Sequence, residues 1–209
     1  MFTLIKREIE DHFAYFFGAI FLSAMIIAIL TSAFFYSEAG NELVFFFLAS
    51  PAIVVLAIGF SSMGVSQMYT DKNRKISTFL TSLPVTRCQI LIARIITGIL
   101  AILIVLLPIT ITGLFLVRIF APPIPIFTDF IYDISVVIFL MAFACYCLGL
   151  QTGWTSSRIT PTLGGIVLTC IFVPLIVVKG FGIHIKVILV LFIIASLTRI
   201  WQKFKTTAL

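Results

Sequence analysis

Apolar residues run along this chain in long blocks, and the polar residues gather in short clusters between them. A helix needs about 20 mainly apolar residues to cross the hydrocarbon core of a bilayer. Runs of that kind occupy residues 13–35, 43–65, 90–117, 134–151, 161–178 and 183–201. They predict an all-α integral membrane protein with six transmembrane helices. The third run is long enough to tilt or to project beyond the lipid. The sixth contains Lys186, whose ammonium is expected to snorkel outward along its own stem. Only Lys179-Gly180-Phe181-Gly182 separates the last two runs, which predicts a tight helical hairpin.

Two polar clusters have a helical period of their own. In residues 1–12, Phe2, Ile5 and Ile9 lead to Phe13 at helical spacing, while Lys6, Arg7, Glu8, Glu10 and Asp11 take the other faces. That pattern predicts a short helix in the membrane interface, ahead of the first span. The apolar run behind it is too long for a cleavable signal peptide and lacks a clear small-residue cleavage site.

The second cluster is "DKNRKISTFLTSLPVTRCQ", residues 71–89. Ile76, Phe79, Leu80 and Leu83 stand at i, i+3, i+4 and i+7, one apolar stripe on a helix. Arg74, Lys75, Ser77, Thr78, Thr81 and Ser82 cover the remaining faces. Pro84 ends the helix, having no amide hydrogen and restricting the residue before it. Thr86 and Gln89 then form the capping box Thr-x-x-Gln for the next helix, with Val85 and Ile90 as its hydrophobic staple. A cap of this kind contributes about 1 kcal/mol, and it fixes the angle at which the third span leaves the corner. A surface helix, a hard stop and a capped start suit either an interfacial anchor or a docking helix for a cytoplasmic partner.

Composition agrees with the pattern: 61% of the 209 residues are hydrophobic and 11% charged, against about 25% charged in soluble domains. Linkers, repeats and low-complexity tracts are absent from the sequence, so residues 1–209 read as one membrane domain. With six crossings both termini share a side. That side carries Lys6, Arg7, Lys72, Arg74, Lys75, Arg87, Arg94, Arg158, Arg199, Lys203 and Lys205, leaving Arg118, Lys179 and Lys186 opposite. Positive residues collect on the cytoplasmic side, which puts both termini there. The net charge of +6 therefore describes topology and contact with anionic lipid; nothing in it forms an independent face for nucleic acid. On the outer side, Glu38, Glu42, Asp129 and Asp133 read as solvated loop ends or as a ring for a cationic substrate. The loop "RIFAPPIPIFTDFIYD" is expected to be stiffened by Pro122, Pro123 and Pro125, with Phe127, Phe130 and Tyr132 in an interfacial aromatic belt.

Enzyme chemistry at membrane depth needs ionisable or metal-binding groups there, and the spans are nearly empty of them. His12 and His184 lie near the surfaces without an HExxH spacing, and no GxSxG elbow supplies a nucleophile. Cys145 and Cys147 point about 200° apart on a helix and read, like Cys88 and Cys170, as packing residues without disulfides. No GxxxxGK[ST] loop is present to cradle nucleotide phosphates, so no cofactor is expected, and energy for any driven process must come from another protein. Pro51, Pro108 and Pro174 are candidate kinks, with Ser50 and Thr110 placed to satisfy freed carbonyls. Gly149-x-x-x-Gly153 reads as a close helix contact or a plain helix end.

"ISTFLTSLPVTRCQILIAR" resembles the loop between spans two and three of ABC-2 type transporter permeases. In that family a small amphipathic helix meets a leucine-rich "LL-SLPV-(Ser/Thr)-Arg" corner and a third span that opens with a basic residue. Leu80, Ser82, Leu83, Pro84, Val85, Thr86 and Arg87 match that run, and Arg94 stands where the later basic residue is common. Where many members carry a glutamate and a Gly-Thr pair, this chain has "NRKIS", so Arg74 and Lys75 present positive charge. The resemblance implies a permease subunit of an ATP-driven exporter in a prokaryotic plasma membrane. It would pair with a second permease chain, identical or related, and with cytoplasmic ABC ATPase subunits. The coupling helix would lie within residues 71–85, with Arg74, Lys75, Ile76, Phe79, Leu80, Leu83, Pro84 and Arg87 as ATPase-coupling residues. Peptides, antibiotics and lipid-like molecules are the substrates it implies.

Two other classes compete. A six-span substrate-binding subunit of an energy-coupling-factor vitamin importer would use Ala24-x-x-x-Ala28 for helix docking, but leaves the capped corner without a role. An intramembrane enzyme is disfavoured by the missing acid–base groups.

Overall fold

A computed structural model of the chain describes residues 2–11, 13–36, 54–69, 87–120, 125–153, 167, 171 and 182–206, and the secondary structure among them is helical. Six helices are α1 (Phe2–Asp11), α2 (Phe13–Tyr36), α3 (Val54–Tyr69), α4 (Arg87–Phe120), α5 (Pro125–Thr152) and α6 (Ile183–Thr206). Four of them are long and apolar enough to cross a membrane, over Phe13–Ser32, Cys88–Leu116, Ile131–Thr152 and Ile183–Lys203. The part of the second predicted span that is described is α3. Of the fifth, Val167 and Ile171 are helical and exposed, and the remainder of residues 154–181 lies outside the described residues.

α1 is the expected amphipathic helix. Lys6 pairs with Glu10 at 4.0 Å and Arg7 with Asp11 at 3.7 Å on its exposed side, i,i+4 pairs worth about 0.3–0.5 kcal/mol each on a solvated face. Ile9 turns the other way and packs against the core, and α1 lies against α4 as well as α2.

The centre of the fold is the α4–α5 pair. Met141 to Cys147 are buried without a break, and a helix apolar on every face belongs inside a bundle. On α4 the buried side is Ile90, Ala93, Arg94, Thr97, Ala101, Ile102 and Val105. α2 packs on α4, and α6 on α5. Exposed apolar side chains such as Phe13, Phe17, Phe21, Leu191 and Ile194 would be costly in water and are at home against acyl chains.

Several boundaries move. α3 continues four residues past position 65, because Gln67 and Met68 are buried in the bundle and need no aqueous end to the helix. α5 starts at Pro125, inside the segment expected to be a stiff loop; proline suits the first helical position, where the missing N–H has no partner to lose. Thr110 does not relieve the carbonyl freed by Pro108. Its hydroxyl donates to the Leu107 carbonyl at 2.9 Å, since a helical hydroxyl reaches only three or four residues back, short of Ile104.

Asp133, in the third turn of α5, accepts from Lys186 Nζ, in the first turn of α6, at 2.6 Å. Lys186 thus bonds to a neighbouring helix in addition to any outward reach. The contact also fixes direction. Both helices are candidate spans, they pack together, and their N-terminal ends meet, so they cross the same way. Thr152 and Ile183 therefore lie at opposite ends of the bundle.

Candidate functional site

Glycines bring three helices together at one end. A Cβ at Gly64 of α3 would stand 2.5 Å from the Tyr146 carbonyl oxygen and 2.9 Å from Leu150 N on α5; one at Gly149 would meet the Ser61 carbonyl oxygen. The α3 and α5 backbones touch without side chains between them, the small-residue packing favoured between membrane helices. Gly149 is thus a helix contact. Gly153 closes α5 with a bond from its N–H to the Gly149 carbonyl at 2.9 Å, and also lies against Met68, so both sequence readings of this pair hold. On α4, Gly98 leaves the space that the Tyr146 ring fills.

Inside this junction is a polar knot. The Tyr146 oxygen is 2.6 Å from Gln67 Oε1 and 2.8 Å from the Arg94 carbonyl oxygen, so it touches α3 and α4 from α5. All three side chains are buried, and Arg94 is 1% exposed, the largest fully buried side chain among the described residues. A phenol has one proton and cannot donate to two acceptors. With the Gln67 amide turned, Nε2 would donate to the Tyr146 oxygen and the Tyr146 proton would go to the Arg94 carbonyl, with Oε1 then taking the place where Nε2 has no partner. Amide orientation is decided by such networks. Arg94 Nη1 reaches Met68 Sδ on α3 at 3.3 Å, and this is not the residue's sole interaction inside the bundle. Thr97 Oγ1 donates to the Ala93 carbonyl and Ser61 Oγ to the Ile58 carbonyl, so both hydroxyls are satisfied on their own helices.

Gln67 lies in the last turn of α3, Arg94 in the second turn of α4 and Tyr146 two turns from the end of α5. The knot therefore sits where the chain leaves α3 and re-enters through α4, at both roots of residues 70–86. Of the residues expected to meet an ATPase, Arg74, Lys75, Ile76, Phe79, Leu80, Leu83 and Pro84 lie outside the described residues, as does the capping Thr86. Arg87 is the first residue of α4, and Gln89 is exposed in its first turn.

Gln67 and Tyr146 carry no motif and escape a reading by spacing. Arg94 was legible as a basic residue near a membrane surface, but the helical period says more. Positions 94, 98, 101 and 105 form a stripe of Arg, Gly, Ala and Val, and small residues at that spacing mark a face that touches another helix.

No family model matches the chain, and neither does any curated protein or solved structure.

Proposed function

We propose that this chain is the membrane-spanning permease subunit of an ATP-driven exporter of the ABC-2 type, working with a separate cytoplasmic ATPase and a second permease chain. The observation that carries the reading is the join between motif and fold. The segment that resembles a coupling loop, residues 71–89, is rooted at both ends in one tightly packed polar junction of α3, α4 and α5. A push on such a segment has a rigid object to act on. A freely hinged surface anchor needs no such footing.

Four apolar spans and an amphipathic N-terminal helix accord with this architecture. The parallel course of α5 and α6 supports a further crossing between them, and completion of α3 toward the N-terminus would bring the total to six. In this topology the termini and the 71–85 segment face the cytoplasm. ATP-driven closure of the ATPases would then rock the bundle between inward- and outward-open states.

The reading is tested by co-purification. A tagged chain expressed in its own membrane retains an ATPase subunit, while Leu83→Asp, or charge reversal at Arg74 and Lys75, releases it and leaves the permease folded. Undiminished ATPase association in Leu83→Asp would remove the coupling role. Tight vitamin binding by the isolated chain would replace it with the capture-subunit reading.

A further inference from the structure

We infer that the Tyr146 hydroxyl is a positioning group: it fastens both roots of residues 70–86 to α5, so that a displacement of that segment is delivered to α5 and not absorbed between α3 and α4. The inference deepens the permease reading, on which its functional meaning rests. Its mechanical content concerns this chain alone.

Three features carry it. The Tyr146 ring occupies the space left by Gly98, so it cannot swing to another rotamer without leaving a void in α4. The hydroxyl bridges two helices at once, 2.6 Å from Gln67 Oε1 and 2.8 Å from the Arg94 carbonyl oxygen, and linked hydrogen bonds within a low dielectric polarise one another. The bridged residues are placed with purpose, in the last turn of α3 and the second turn of α4, where the segment departs and returns. A phenylalanine at position 146 would fill the Gly98 space equally well. The hydroxyl therefore adds the tie and not the packing.

The test uses spin labels on the full-length chain in nanodiscs. One label goes on native Cys88, which is exposed at the start of α4. The other goes on Gln151→Cys near the end of α5, in a Cys170→Ser background; Cys145 and Cys147 are buried and should stay unlabelled in the folded chain. With Tyr146 intact, the distance distribution between the labels is narrow. In Tyr146→Phe it broadens and shifts; Gln67→Leu, which cuts the tie to α3 and leaves the bond to the Arg94 carbonyl, gives a smaller change and adds nothing to Tyr146→Phe in the double variant. A control pair at the other end of the two helices, Ile111→Cys and Tyr132→Cys with Cys88→Ser, keeps its distribution in every variant. Should Tyr146→Phe fail to fold, Gln67→Leu, which leaves the ring in place, carries the test. An unchanged Cys88–Gln151 distribution in the folded variants overturns the inference. ATPase co-purification is read separately: if the tie is seen but no ATPase binds, the clamp stands and the permease reading falls. If the ATPase binds but the tie has no effect, the clamp falls and the permease reading stands.

Discussion

Lys186 Nζ lies 2.6 Å from Asp133 Oδ1, tying the start of α6 to α5 at the end of the bundle away from the polar knot. The pair is partly solvated, with the side chains 26% and 53% exposed. Asp133→Asn and Lys186→Met should each lower stability by less than about 1 kcal/mol. Their effects should not add, and the coupling should shrink in high salt. Melting temperatures of the two single variants and the double variant, at low and high ionic strength, check this.

Tyr146 combines a ring that packs with a hydroxyl that bonds, and the two are separable. Tyr146→Phe should cost about 1 kcal/mol, the usual net worth of a buried hydrogen bond. Tyr146→Ala should cost about 3–5 kcal/mol by opening a cavity in the core. Equal losses in the two variants, measured by thermal or denaturant unfolding in one detergent, would contradict this division of roles.

Gly98→Ala pushes a methyl group into the Tyr146 ring, and overpacking of this sort costs about 1–3 kcal/mol. Combined with Tyr146→Ala, the added methyl enters vacated space. The double variant should then be more stable than the sum of the single losses allows. A double-mutant cycle on unfolding free energies reads that coupling.

Gly149→Ala attacks the seam between α3 and α5, where a Cβ would meet the Ser61 carbonyl. Backbone cannot rotate aside as a side chain can, so the helices must separate. A loss of about 1–3 kcal/mol is expected, together with faster hydrogen exchange in α3.

Cys88 is exposed, whereas Cys145 and Cys147 are enclosed by neighbouring helices. In a Cys170→Ser background, a membrane-impermeant maleimide should modify one site in native membranes and all three after denaturation. Reaction of Cys88 in inside-out but not right-side-out vesicles would accord with a cytoplasmic start of α4. The reverse pattern would invert the topology expected from charge.

Hydrophobic runs made α2, α4, α5 and α6 legible from sequence, because a membrane solvent demands long apolar blocks and little else. The same signal misplaced the edges. Membrane helices extend past their apolar stretch wherever the next polar residue is buried against protein, as at Gln67, or wherever a proline can open the helix, as at Pro125. The knot itself was hidden for a different reason. Tyr146 sits in an apolar run where a lone phenol looks like any aromatic, and what gives it meaning is Gln67, 79 positions away in sequence. Arg94 was counted with the surface charges because composition registers a guanidinium, not the direction it faces.

α2 stands apart from the other long helices. In its most apolar window 11% of the residues are buried by protein, against 56% for α4 and for α5. Little of its surface is covered by the rest of the chain, which leaves it open to acyl chains whose length and order would act on it directly. Bilayer thickness and sterol or saturated-lipid content should tilt this helix before they disturb the α3–α4–α5 junction. On that expectation α2 is a lipid-responsive flank beside a more tightly packed centre, and the choice of membrane mimetic becomes an experimental variable for α2 far more than for the knot.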